Sequence, residues 1–441
     1  MESTLSTRKT FQEKIDDYFQ IGKRNSTIRR EIIGGITTFL TMAYIIFVNP
    51  AILSSTGMDK GALITVTCIA TAFGTIISAL WANAPFALAP GMGLNAFFTY
   101  SLVIGKGVSW ETALGVVFLS GFVFLIMTLG GIREKIANAI PEVITSASTV
   151  GIGLFISFIG LKGMGIISSN PATFVSLGKF TLGTQLGIIG FIVMIFFHLR
   201  GYTAGILLSI IATTCMGMFF GIVDIPSTII STPPSIEPVF LKLDILGALK
   251  ISLIGPIFSF MFIDMFDSLG FLMACYKNMG FDSTEEGKVG LKRMLQCDVS
   301  STILGSILGT STITSFAESA AGIAAGARTG LASLVTGGLF IVALFFSPLV
   351  SVVPMFASSP ALVMVGILMF TSVKSIDFSD FKTVVVSFIT IVMMPLTYSI
   401  SIGLSFGFIT YIILHVFDRE YNKINKALIV IGMLSLVNLI V

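Results

Sequence analysis

Long apolar runs separated by short polar stretches fill the chain from residue 32 onward. They stand at about 32–53, 62–82, 86–105, 112–132, 142–161, 184–199 and 203–223, and then at 248–274, 293–309, 312–327, 329–350, 358–373, 383–397 and 399–416. Most approach the roughly 20 residues that a helix needs to cross a bilayer, so the pattern predicts fourteen transmembrane helices. A polar stretch from Asp224 to Asp244, containing STPPSIEP, divides them into seven and seven. Seven is odd, so the second half must run inverted relative to the first, an architecture shared by many secondary transporters. The apolar tail KALIVIGMLSLVNLIV is short for a further crossing and reads as interfacial. At the other end, Phe11, Ile15, Tyr18, Phe19 and Ile21 suggest a short amphipathic helix lying along the cytoplasmic membrane face, with no signal-peptide pattern around it.

Composition places the chain in the same class. Hydrophobic residues make up 54% and charged residues 11%, with a mean hydropathy of +0.96; soluble domains carry about a quarter charged residues. Charge placement orients the spans. With the N-terminus inside, 20 of the 26 Lys and Arg fall on cytoplasmic loops and tails and six on the other side (Lys60, Lys106, Lys162, Lys179, Lys242 and Lys250), as the positive-inside rule requires. A multi-pass cell-membrane protein with both termini cytoplasmic is the consistent reading. The net charge of +3 says nothing about nucleic acid, and none is expected as a partner. Cys68, Cys215, Cys275 and Cys297 are scattered, so neither a disulfide nor a metal is implied, and no cofactor is expected. The chain carries no H-E-x-x-H, Walker loop, G-x-S-x-G or Cys/His cluster, which tells against an enzyme and against nucleotide-driven pumping.

Three carboxylates depart from the apolar pattern: Asp264 and Asp267 in FIDMFDSLGF, and Glu318 in TSFAESAAG. A charge at membrane depth costs on the order of 3 kcal/mol on insertion scales and persists where it faces protein, water or a ligand. Neither ISLIGPIFSFMFIDMFDSLGFLMA nor GTSTITSFAESAAGIAAGA holds a Lys or Arg to neutralise it. Structural acids capping broken helices are the plain alternative to a site. A carboxyl that changes charge can carry a proton, and a carboxylate facing a cavity suits the paired N–H donors of a planar heterocycle. The third span opens with NAPFALAPGMGLNAFF and the tenth with LGTSTITSFAESAAG. Each is third in its half, and each has a helix-poor entry followed by a polar residue, Asn95 or Glu318. Pro and Gly in ALAPGMGLN interrupt a helix, which is tolerable in a membrane only beside protein or a cavity. Thr41 and Ser311 to Ser315 are weaker candidates, because such hydroxyls often bond their own backbone. Phe316, close to Glu318, is the Phe best placed to stack. His198 and His415, at cytoplasmic ends of spans, read as interfacial.

ITTFLTMAYIIFVNP (36–50), APGMGLNAFF (89–98), FIDMFDSLGF (262–271) and TSFAESAAGIAAGARTG (314–330) resemble the AzgA-like purine permeases. These are a branch of the nucleobase cation symporter-2 (nucleobase–ascorbate transporter) superfamily, and the resemblance covers nearly the whole chain. It implies an all-α membrane protein of fourteen helices in two inverted sevens, with the third and tenth spans broken and pairing as short strands. It also implies a core domain and a gate domain. Residues 1–30 would then be the cytoplasmic tail, 31–140 the first half of the core, and 141–245 the first half of the gate with an external loop. The second half of the core would span 246–350, and the second half of the gate, with the C-terminal tail, 351–441.

Carried onto this chain, the resemblance puts the acid of the eighth span at Asp267, that of the tenth at Glu318, and the polar position of the third at Asn95. Phe316, Ser319 and Thr41 complete the expected substrate contacts, and Glu318, Asp267 and Asp264 are the expected proton carriers. Uracil-transporting relatives have a histidine after the eighth-span acid. Phe271 stands there in this chain, which points to purines and routes the proton through carboxylates. The expected function is proton-coupled import of hypoxanthine, guanine or adenine by alternating access, with H⁺ as the coupling ion. A uracil- or xanthine-type symporter is the alternative substrate reading. A sulfate-transporter-like anion carrier or channel of the same fold is the alternative class. The expected partners are the nucleobase and the bilayer, and a homodimer is left open.

Overall fold

The structure, a computed structural model, describes residues 11–131, 139–281 and 284–440, without the side chains at 11, 266, 267, 270 and 278. Arg8, Lys9, Arg133 and Lys135 of the charge pattern, and the side chain of Asp267, lie outside that description. The first half comprises α1 (Phe11–Phe19), α2 (Ile28–Met42), α3 (Ile45–Leu53), α4 (Lys60–Ile77), strand β1 (Leu88–Pro90), α5 (Met92–Ala96), α6 (Trp110–Leu129), α7 (Glu142–Gly163), a hairpin of β2 (Ile167–Asn170) and β3 (Phe174–Leu177), α8 (Leu182–Leu199) and α9 (Gly205–Phe219). The second half comprises α10 (Ile254–Asn278), α11 (Glu285–Leu308), strand β4 (Ile313–Ser315), α12 (Ser319–Ala324), α13 (Gly330–Ala343), α14 (Met355–Phe370), α15 (Phe381–Thr397), α16 (Ile400–Phe417) and α17 (Lys426–Ile440).

Among the described residues, eight helical stretches are long and apolar enough to cross a membrane, and five shorter apolar helices join them. Twelve of the fourteen apolar segments hold one of these elements, the ninth and tenth being occupied by α11 and by β4 with α12, and the remaining apolar helix is the tail α17. The third and tenth segments are broken by β1 and β4. α11 begins in the charged run EEGKVGLKR, well before its apolar part. Helix α5 continues through Phe97–Gly105 as a wider, π-helical stretch, a local form that often marks functional sites.

Helices α7, α8, α9, α14, α15 and α16 pack mainly on one another, with α7 against α14 and α15. A second set comprises α2, α3, α4, α6, α11, α12 and α13, in which α13 lies against α2 and α4, and α11 against α6. Small residues set the closest approaches. A Cβ on Gly322 of α12 would meet the Thr38 hydroxyl and the Gly34 carbonyl of α2, so these helices touch backbone to backbone, as small residues allow in membranes. At the chain ends, the segment from α1 packs Phe19 and Ile21 against Leu331, so it docks on protein as well as presenting Tyr18 outward. The tail read as interfacial is the helix α17, which lies along α16 with Leu428 and Ile431 buried and Asn438 donating to the Ser405 hydroxyl at 3.0 Å.

Candidate functional site

β1 and β4 pair antiparallel, with Leu88 opposite Ser315, Ala89 opposite Thr314 and Pro90 opposite Ile313. Phe316 N–H donates to the Ala87 carbonyl (2.9 Å) and Gly91 N–H to that of Thr312 (3.1 Å), closing the pair at both ends. Three-residue strands leave outer edges that a membrane interior does not satisfy. Neighbouring helices supply the partners. From α4, the Thr75 hydroxyl donates to the Leu88 carbonyl (3.2 Å) and accepts from its N–H (3.0 Å). From α11, the Thr302 hydroxyl donates to the Ile313 carbonyl (2.7 Å), and the Asp298 carboxylate accepts from Ser315 N–H (2.8 Å) and Oγ (3.1 Å). α4 and α11 are the second spans of their halves, so each strand is held by the equivalent helix of its own repeat.

Against this strand pair lies a cavity of about 760 Å³, within the roughly 300–1,000 Å³ usual for small-molecule sites. Gly91, Met92 and Gly93, where β1 gives way to helix, form one wall, and Thr314 to Glu318 form another. Thr41 and Tyr44 come from the first span, Thr145 and Thr149 from α7, and Leu368 and Met369 from α14. The cavity therefore lies between the two helix sets. Tyr44 donates its hydroxyl to Glu318 Oε1 at 2.6 Å, and its ring leans on Phe316 with centroids 6.4 Å apart. A carboxylate and an aromatic pair thus meet in one apolar-walled space, with Thr41, Thr145 and Thr149 along its lining. No Lys or Arg is among the described residues lining it.

Residues 29–434 match the Permease family. The chain belongs to that family. It is a transporter and not an enzyme. It is 40% identical over 423 residues to adenine permease AdeQ of Escherichia coli, covering 96% of this chain and 95% of that protein. It is 43% identical over 407 residues to guanine/hypoxanthine permease PbuG of Bacillus subtilis, covering 89% and 92%. Among solved structures, the transmembrane domain of the cyanobacterial bicarbonate transporter BicA superposes with a TM-score of 0.66 at 15% identity, over 85% of this chain and 96% of that one. That likeness shows the fold alone.

Of the site residues read from sequence, the permease brings Thr41, Phe316 and Glu318 to the cavity. The Thr41 hydroxyl is largely turned back on its own helix, donating to the carbonyls of Thr38 (2.8 Å) and Thr37 (3.0 Å), with Glu318 O at 3.4 Å. Ser319 lies behind the wall: its Oγ accepts Ala87 N–H at 3.0 Å and ties the Phe316–Ser319 turn to β1. Asn95, expected among the substrate contacts, is fully buried and does not line the cavity. Its amide donates to Asn49 Oδ1 (2.8 Å) and its carbonyl accepts from Ser311, while Asn49 donates to Thr67 (2.7 Å) and Thr310 (3.2 Å). Both ends of the Asn95 amide are thereby spent, the N–H on α3 of its own half and the carbonyl on Ser311 of the other half. Asp264 is buried within α10 and is also absent from the cavity lining. Asp267 stands four residues before Phe271, which does line the cavity.

Three residues escaped the sequence reading. Tyr44 stands three positions after Thr41 in the quoted run TMAYIIF, so its phenol faces the same way along the span. Asp298 is a fourth acid at membrane depth, fully buried in the ninth segment, where the flanking LQCDVSST disguised it as the end of a polar run. Glu31 is fully buried as well, and its carboxylate accepts from Arg328 N–H (2.9 Å) and Thr329 N–H (3.1 Å) at the start of α13. Neither histidine is simply interfacial. His198 lines the cavity mouth, and His415 is buried, its ring stacked on Tyr411 at 4.0 Å.

Proposed function

We propose that this permease imports purine nucleobases, with hypoxanthine, guanine and adenine as the candidate substrates, in symport with protons. The observation that carries the reading is the Glu318 carboxylate, hydrogen-bonded to Tyr44 and facing a cavity between two interrupted spans. A carboxylate accepts two parallel hydrogen bonds from guanine's N1–H and amino group and a single one from a ring N–H of hypoxanthine or the amino group of adenine, and the Phe316 and Tyr44 rings offer a base's faces apolar contact. The names of the adenine and guanine/hypoxanthine permeases that resemble this chain over nearly its whole length support the substrate class. Protonation at Glu318 or Asp267 would lower the cost of carrying the site through the bilayer, with Asp264 as a further acceptor in the same helix as Asp267.

In this reading the set containing the strand pair is the core domain, and the set built on α7 and α14 is the gate. The core, residues 31–140 and 246–350, moves as a body against the gate, residues 141–245 and 351–441, and exposes the site alternately. Both termini lie in the cytoplasm of a cell-membrane protein. The cavity then opens inward, since Thr145, His198 and Ser372 lie toward the cytoplasmic ends of their spans. An anion carrier of the same fold needs a cation at its site, and this lining offers a carboxylate instead.

The test is uptake of radiolabelled hypoxanthine and adenine into proteoliposomes, with unlabelled purines, uracil, xanthine and bicarbonate as competitors. Purine uptake that purines suppress, and that bicarbonate leaves unchanged, supports the reading. Bicarbonate or sulfate transport without base uptake removes it.

A further inference from the structure

A second cavity, of about 260 Å³, lies further along the same helix pair. α7 lines the large cavity at Thr149 and the small one at Lys162, and α14 lines the large one at Leu368 and the small one at Ser358. At 1.5 Å per residue these positions are about 15–20 Å apart along the helices, and the linings come as near as Val365 and Leu362 on α14, so the two cavities succeed one another along one seam between core and gate. In the orientation proposed above, the small cavity is the outer one. Ile52 of α3 and Tyr100 belong to its core wall, and Ser358 and Ser359 to its gate wall.

Tyr398, in the turn between α15 and α16, does not itself line this space but packs against Tyr100 and Lys162, which do. Its backbone is left-handed (φ 56°), an uncommon state for a bulky residue. The Ser101 hydroxyl, from the core, holds the Tyr398 carbonyl at 2.8 Å. The Tyr398 ring meets Tyr100 edge-on at 5.9 Å, and the Lys162 ammonium lies 5.5 Å from its centroid. Its phenol oxygen is buried without a hydrogen-bond partner among the described residues, an exception that buried hydroxyls seldom show.

We propose that this cavity is an outer docking subsite for one planar heterocycle, with Tyr100 as the ring it stacks on and Tyr398 as its lid. The inference rests on the nucleobase reading given above. A volume just under the usual range for drug-sized ligands takes a single base. The Tyr100 wall supplies stacking and the Ser359 hydroxyl bonds a heterocycle's edge, while the Ser358 hydroxyl is turned to the Pro354 and Met355 carbonyls of its own helix (3.4 and 3.3 Å). The Tyr398 phenol, on closing over the base, gains the partner it lacks. The Ser101–Tyr398 bond joins core to gate across the seam, so it must break before the outer path opens.

The experiment measures hypoxanthine transport by the full chain in proteoliposomes sorted by orientation, with KM and turnover read separately from the external and cytoplasmic faces. Tyr100→Leu is expected to raise the external KM about tenfold, the effect of losing one base–aromatic stack, with the cytoplasmic KM unchanged. Tyr100→Phe, which keeps the ring, restores the external KM to the wild-type value, and the milder Ser359→Ala raises the external KM alone. An unchanged external KM in Tyr100→Leu and Ser359→Ala, or equal shifts at both faces, overturns the subsite while leaving purine transport standing. A wild-type chain that moves no purine base overturns the functional reading and the subsite with it.

Discussion

Glu318 is an acid that the bilayer disfavours, and Tyr44 is the neighbour that makes it tolerable. The phenol gives the carboxylate a hydrogen bond without neutralising it, which is what the proposed proton coupling requires of the group. Glu318→Gln keeps the shape and an acceptor for Tyr44 but fixes the charge at zero. Gradient-driven accumulation of purine is therefore expected to vanish, while exchange of internal for external base persists. Accumulation at the wild-type level in a proteoliposome with an imposed inward pH gradient would move the proton to Asp264 or Asp267. At this scale the sequence was informative wherever a charge interrupted an apolar run, which is how Glu318 stood out. It misled where polar type alone was the guide. Asn95 and Glu318 occupy matching places in their halves, yet Asn95 is spent on Asn49 and Ser311. The direction a side chain takes from a broken helix is set by tertiary partners that no local pattern contains.

The strand pair is the element on which the cavity rests, and its edges depend on α4 and α11. Asp298→Ala leaves the Ser315 N–H and hydroxyl without their acceptor in a buried setting. The expected cost is about 1–3 kcal/mol, seen as a lower unfolding midpoint in detergent together with weakened base binding. An unchanged midpoint would show that β4 holds its place without Asp298, through the Thr302 bond to the Ile313 carbonyl. The helix break at ALAPGMGLN could be read directly from its Pro and Gly, whereas the pairing of β1 with β4 came only through family resemblance, since three residues have no periodicity to detect. At the cytoplasmic end of the gate, the Lys382 and Lys423 ammonium groups hold the Glu420 carboxyl below the usual carboxylate range. A depressed value means that the contribution of this cluster is present above the ordinary carboxylate value of about 4.3 and is lost as pH falls through the lower folded one. Glu420→Gln is therefore expected to leave the shape of the pH–uptake curve unchanged between about pH 5 and 8. A shifted curve would place part of the coupling in this cluster.

Across the whole molecule, two helix sets meet along a seam that holds both cavities, and the chain on each side of the polar stretch at Asp224–Asp244 contributes one broken segment to it. A membrane protein of many apolar helices was legible because short polar and cationic stretches interrupt the apolar rhythm. The packing partners of α7 and α14 were not, since they lie some 200 residues apart in the chain. A reporter fused after Val223 is expected outside and one after His415 inside; both on one side would break the inverted-repeat topology. The most direct test of the site places a thiol in the cavity. Ala317 is exposed there between Phe316 and Glu318, and Cys215 is the exposed native cysteine, while Cys68, Cys275 and Cys297 are buried. In an Ala317→Cys, Cys215→Ser chain that still transports purines, saturating hypoxanthine is expected to slow alkylation of the new thiol from the cytoplasmic side, and bicarbonate is expected to leave the rate unchanged. Alkylation at the same rate with and without hypoxanthine would contradict a purine site between the broken spans.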